Sequence, residues 1–171
     1  MLCQASGLEA SALEYAEACH AGQRRDSDGA PFIEHPVEVA RLLREAGCSQ
    51  DVVAAGLLHD VVEDTVVTLD DVRARFGANV AALVAAVTDD PGLAGYRQRK
   101  RGLREQVREA GGDAALLFAA DKISRARELA DDDRPDRPQR LEHYRASLGM
   151  LEHVAPHHPL VRRLADELAG T

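Results

Sequence analysis

Residues 49–65 read "SQDVVAAGLLHDVVEDT". The valine pairs at 52–53 and 61–62 fall at helical spacing, without alternation, and the alanines and leucines between them favour a helix over a strand. Four ionisable residues interrupt the apolar pattern: His59, Asp60, Glu63 and Asp64. Charged groups are rarely buried unless they are paired or hold a metal. Side chains four apart on a helix share a face. On a continuous helix His59 lies over Glu63 and Asp60 over Asp64, giving one connected polar patch framed by Leu57, Leu58, Val61 and Val62.

The flanking segments also read as helices. Apolar positions from about 7 to 21 keep helical spacing and end near Gly22. "QRRDSDGAPFIEHP" is a polar loop, and Pro36 suits a first helical position, where a missing N–H costs nothing. The helix "PVEVARLLREA" then stops at Gly47, and Ser49 or Asp51 caps the next. "TLDD" (68–71) has the capping-box pattern, opening a short helix that ends near Gly77. "NVAALVAAVTDD" is an apolar helix broken by "PGLAG". "YRQRKRGLREQVREA" is basic nearly all round. Residues 113–130 form another helix, "DDDRPDRP" a solvated loop, and helices near 139–154 and 159–169 close the chain. The expectation is an all-α domain spanning 1–171, with its motif-bearing core at about 13–131 and C-terminal helices at about 139–169.

Composition narrows the function. The 171 residues are 45% hydrophobic and 29% charged, with net charge -8, ordinary for a globular domain. This acidic balance argues against a general nucleic-acid binder. No apolar run reaches membrane-spanning length, so no membrane partner is expected. The first residues, "MLCQASGLEASALEYAEACH", lack the basic start of a signal peptide. Cys3, Cys19 and Cys48 are odd in number and form no CxxC, which fits a reducing cytoplasm. The oligomeric state stays open.

One helix does not complete a metal site, but the chain offers two further donors. His35 stands at a helix entrance, and Asp121 sits in the apolar "LLFAADKIS". Together His35, His59, Asp60 and Asp121 supply two imidazoles and two carboxylates without thiolate, a set suited to Mn²⁺, Fe²⁺ or a similar ion. A bound cation would compensate the buried acids. Glu63 and Asp64, one turn on, are placed to orient a water acidified by that ion and to accept its proton.

The ordered set "H…HD…D" resembles the HD superfamily of metal-dependent phosphohydrolases. Three stretches resemble more closely the hydrolase domain of the RelA/SpoT homologues, and the short length resembles the small alarmone hydrolases. They are "AEACHAGQRRDSDGAPFIEHPVEVARLL", "AAGLLHDVVEDTVVTLDDVRARFGANVAALVAAVTDD" and "FAADKISRARELAD". The resemblance covers roughly residues 13–131. It implies an HD-domain helical bundle that removes the 3′-pyrophosphate from (p)ppGpp, usually with Mn²⁺, with a small phosphorylated nucleotide as partner. It implies His35, His59, Asp60 and Asp121 as metal ligands and Glu63 and Asp64 as the water-activating pair. Arg24 and Arg25 match the basic pair near the nucleotide. Lys100 falls near a phosphate contact and Tyr144 near a nucleotide-side tyrosine. Lys122 and Arg125 follow Asp121 on the substrate side.

Arg125 departs from the family, which usually has an asparagine near the ribose. The alternatives are therefore a related nucleotide, such as (p)ppApp, the 2′-phosphate of NADPH or a 5′-nucleotide, and a non-catalytic nucleotide- or metal-binding regulator. The remaining histidines, His20, His143, His153, His157 and His158, read as surface or capping residues. Phe32, Phe76, Leu117 and Phe118 read as core.

Overall fold

The structure, a computed structural model, describes residues 7–130 and 132–171. These form ten helices, with a single isolated bridge between Arg24 and Pro31 as the extended pairing among them. The all-α expectation holds. Cys3 and Asp131 lie outside the described residues.

Helices α1 (Gly7–Cys19) and α2 (Glu34–Glu45) both pack against α3 (Gln50–Leu58), and α2 and α3 lean on α8 (Gly112–Ala130). Helix α8 is the central post. It also meets α6 (Ala78–Val87), α7 (Tyr96–Ala110), α9 (Arg137–Val154) and α10 (Pro159–Ala169). Its composition explains this position. Ala114, Ala115, Ala119, Ala120 and Ala126 let neighbours approach closely, while Leu117, Phe118, Ile123 and Leu129 fill the space between them. Arg127 ties the outside together, donating to Glu38 on α2 at 2.6 Å and to Glu167 on α10 at 2.7 Å.

Local signals fix several boundaries. Thr68 and Asp71 form the expected reciprocal capping box before α5 (Leu69–Phe76). Gly47 takes φ 76 just past α2, a conformation that glycine adopts without a Cβ penalty. His158 caps α10 by accepting from the Leu160 N–H. Ser49 stands at the cap position of α3 but its side chain makes no capping bond, and Asp51 instead accepts from Asn79 at 3.2 Å.

Several expectations are corrected. The helix expected over 49–64 is two: α3 ends at Leu58 and a single turn, α4 (Val61–Asp64), follows. His59 and Asp60 form the break, with Asp60 at φ -95, ψ -7. The His59 ring bonds back to the Gly56 carbonyl at 2.7 Å and turns inward. Helix α2 begins at Glu34, so His35 lies inside its first turn and Pro36 at the third position, where its missing N–H is still harmless. His20 and His143 are buried, not superficial, whereas Phe76, Leu117 and Phe118 are core as expected. Phe32 is half-buried against a cavity. The loop before α9 is not wholly solvated either, because Asp132 is buried in an ion pair with Arg134.

Gly56 is where α3 presses closest on α2. A Cβ there would meet Leu43 Cδ1 at 2.7 Å and Val39 Cγ1 at 3.4 Å, and both neighbours are fully buried. Gly56→Ala should destabilise the fold by about 1–3 kcal/mol, measured as a lower urea midpoint with unchanged slope.

Candidate active site

Four side chains from three parts of the fold converge at one point. His35 comes from the first turn of α2, His59 and Asp60 from the break after α3, and Asp121 from the middle of α8. His35 Nε2 lies 3.2 Å from His59 Nε2, 3.3 Å from Asp121 Oδ1 and 3.5 Å from Asp60 Oδ2. His59 Nε2 lies 3.3 Å from Asp60 Oδ1 and 3.6 Å from Asp121 Oδ1. All four residues are buried.

Hydrogen bonds on the far side of each ring determine what the near side offers. Ser124 Oγ donates to Glu38 at 2.8 Å, so toward His35 Nδ1, at 2.9 Å, it can only accept. His59 Nδ1 faces the Gly56 carbonyl and therefore carries a proton. With an ion bound and both rings neutral, each would turn its Nε2 lone pair toward that ion, beside two carboxylates. Four such groups converging on one point suit positive charge between them. Bonds of about 2.1 Å to one ion place adjacent ligands about 3 Å apart, close to the spacing seen. The residues therefore fit a divalent metal, with the second sphere that such a site requires.

Without an ion, a proton on His59 supplies part of that charge. Burial, helped by the Arg125 guanidinium, pushes His35 down to about 4. Burial also opposes charging of His59, but Asp60 and Asp121 outweigh it and lift the ring to about 9. Both acids are held below the usual carboxylate range against the opposing effect of burial, Asp60 by His59 and Arg125, Asp121 by Lys122 and the two histidines. Lys122 Nζ donates to Asp121 Oδ2 at 2.5 Å and Arg125 Nη2 to Asp60 Oδ2 at 2.8 Å.

This cluster forms the floor of a cavity of about 290 Å³. Glu63 and Asp64 stand at its edge, and burial raises both carboxyls, with Asp60 adding to the effect. Glu63 Oε1 accepts from the Asp89 N–H at 2.5 Å. Arg24, Arg25, Lys100, Lys122, Arg125 and Tyr144 all line the cavity. Arg24 is braced on the Gly29 carbonyl at 2.9 Å, Arg25 on Asp28 and Glu34, and Lys100 on Asp89 at 2.6 Å. Thus every residue expected at the site reaches this cavity except His35, which lies wholly beneath its floor.

Sequence reasoning missed Tyr96, Glu128, Arg134, Arg140 and His143, which also line it. Two were legible: Tyr96 stands four before Lys100 on α7, and Arg140 four before Tyr144 on α9, so each shares a face with an expected residue. Arg134 gave no signal, since only the folded loop brings it in.

A family model for the HD domain matches residues 12–148. The chain belongs to the HD-domain family. Its likeness is to the RelA/SpoT branch. The mouse and human proteins named guanosine-3′,5′-bis(diphosphate) 3′-pyrophosphohydrolase MESH1 are each 47% identical to it over 121 residues, 69% of this chain and 67% of theirs. A solved structure titled "A metazoan ortholog of SpoT hydrolyzes ppGpp and plays a role in starvation responses" superposes with TM-score 0.85 and 31% identity, covering 96% of this HD domain's chain and 95% of the other. A Listeria monocytogenes structure superposes with TM-score 0.72 and 32% identity, covering 82% of this chain and 97% of that one.

Two measurements check the site. Ser124→Ala removes the acceptor that orients His35 and should weaken divalent-ion binding about tenfold or more, read by calorimetry. Ion binding must also displace the His59 proton, whose pKa is raised to about 9. Affinity should therefore fall about tenfold for each pH unit below that value, with roughly one proton released per ion bound at neutral pH.

Proposed function

We propose that this chain is a metal-dependent phosphohydrolase that removes the 3′-pyrophosphate from (p)ppGpp. The observation that carries the reading is the convergence of two imidazole Nε2 atoms and two carboxylates beneath a cavity lined by cations. The activity named for the 47%-identical relatives supports it. His35, His59, Asp60 and Asp121 are the ligands we assign, and Mn²⁺ the ion, since a mixed nitrogen and oxygen set without thiolate suits it.

The ion supplies positive charge against a phosphate oxygen and makes a water more acidic. The protein does the rest. Glu63 and Asp64 hold the attacking water and take its proton. Their raised carboxyls make them better bases near neutral pH than free carboxylates. Glu63 is anchored by the Asp89 N–H, which leaves its other oxygen for the water. The water oxygen bonds to the phosphorus on the ribose 3′ oxygen. The P–O3′ bond breaks, the 3′ oxygen takes up a proton, and pyrophosphate leaves. Lys122 and Lys100 lie on the cavity wall to balance phosphate charge, and Arg24, Arg25 and Tyr144 to contact the nucleoside. We place this work in the cytoplasm, where the free thiols of Cys19 and Cys48 stay reduced. Among the described residues no helix is long and apolar enough to cross a membrane.

Arg125 favours a second reading of the substrate. Its guanidinium lies over Phe32 at 5.6 Å and lines the cavity, adding a cation where the family carries a neutral amide. An adenine alarmone, NADPH or a 5′-nucleotide would then be the substrate, with the same ion and water chemistry. A turnover panel on Mn²⁺-loaded protein separates these readings. Pyrophosphate released from ppGpp supports the first, and turnover of another compound alone supports the second. On whichever substrate turns over, Glu63→Gln and Asp64→Asn should each lower kcat by about 10²- to 10⁴-fold, while calorimetric ion affinity stays near that of the unaltered chain. Full activity in the double variant would overturn the mechanism.

A further inference from the structure

His143 is a histidine of α9 with no part in the chemistry above, yet it is built into the cavity wall with unusual care. It is buried, at 4% exposure. Arg104 of α7 donates to its Nδ1 at 2.8 Å. A guanidinium cannot accept, so Nδ1 is the bare nitrogen and the ring proton sits on Nε2. Ser147 Oγ also lies 3.4 Å from Nδ1 but gives its proton to the His143 backbone carbonyl at 2.9 Å, and the shorter contact from Arg104, which can only donate, sets the tautomer. Burial and the positive field of Lys122, Lys100 and Arg104 push the ring down to about 2, so it stays neutral and keeps this tautomer.

The Nε2–H is therefore a fixed donor, and it is buried with no hydrogen-bond partner among the described residues. An unmade hydrogen bond inside a protein is costly, and native structures rarely leave one without a reason. The surroundings say what is missing. The rings of Phe118, Tyr144 and Tyr96 pack around His143, with centroids at 6.3, 5.6 and 6.3 Å. A ring face is a weaker acceptor than an oxygen. Lys122 lies over the Phe118 and Tyr144 rings at 4.6 and 5.6 Å, and Lys100 shares the same wall. A donor held in a field of cations suits an anionic oxygen. Arg104, by polarising the ring from behind, strengthens that donor.

We infer that His143 donates its Nε2–H to a phosphate oxygen of the bound substrate, with Arg104 as the residue that positions and orients it. The inference rests on the cavity being the phosphohydrolase site proposed above. His143 then serves as a substrate-binding residue. It adds a directional contact beside the two lysines, which act as point charges.

Two variants separate this role from a structural one. His143→Asn keeps an acceptor near Nδ1 for Arg104 but loses the distal donor, whereas His143→Gln extends an amide N–H toward the Nε2 position. Two quantities are read: the affinity for inorganic pyrophosphate by equilibrium dialysis, and KM and kcat for whichever nucleotide turns over. His143→Asn should weaken pyrophosphate binding and raise KM about tenfold, with kcat and melting temperature little changed, and His143→Gln should recover most of the loss. If His143 only braces Arg104, the Asn variant will match the unaltered chain, and the inference is overturned. Should the Asn variant fail to fold, a tenfold loss of pyrophosphate affinity in the folded Gln variant overturns it equally. So does absence of pyrophosphate binding to the unaltered chain. Dialysis needs no turnover, so an inactive substrate panel would count against the proposed function and leave this test intact.

Discussion

Two imidazole Nε2 atoms face each other at 3.2 Å in the interior, each ring's Nδ1 being engaged by a partner on its far side. This contact is unfavourable without a positive charge between the rings, and much of the architecture serves to impose it. Helix α2 brings His35 from one side, the break after α3 brings His59 and Asp60 from another, and α8 supplies Asp121 from below. The packing that holds these helices is therefore also what holds the donors together. Gly56 illustrates the dependence: its missing side chain lets α3 approach α2, and its carbonyl fixes the His59 ring.

The charges around this point are layered. The innermost groups are the four proposed ligands. Lys122 holds Asp121 Oδ2 and leaves Oδ1 to the histidines, whereas Arg125 shares Asp60 Oδ2 with His35 and leaves Oδ1 to His59. Ser124 and Glu38 stand behind His35, and Arg127 anchors Glu38 to α8. An overall acidic chain thus concentrates basic groups on one cavity. Net charge describes long-range behaviour, while binding of a small anion depends on the groups within a few ångströms.

Most of the helices were legible because their signals are local. The capping box at Thr68, the glycine after α2 and the periodic apolar faces act within a turn or two, and their elements formed where expected. The break at His59 was not legible. Its neighbours favour a continuous helix, and the interruption comes from the His59 bond to Gly56 together with inward burial of two polar side chains. That is a tertiary demand overriding propensity. The misplaced start of α2 has a similar cause. Pro36 is tolerated throughout the first turn, so it marks that turn without naming its first residue.

The sequence by itself determined the all-α class, the donor types and their order along the chain, because residue chemistry and helical period are written one residue at a time. It also carried the likeness to the HD family, since that likeness resides in short motifs. Only the tertiary structure decided how close the donors come, which nitrogen of each histidine is bare, and which residues from α7, α9 and the loop between α8 and α9 complete the cavity. Those are properties of side chains far apart in the chain, such as His35 with Ser124 or Arg104 with His143, and no local pattern encodes a distance between helices.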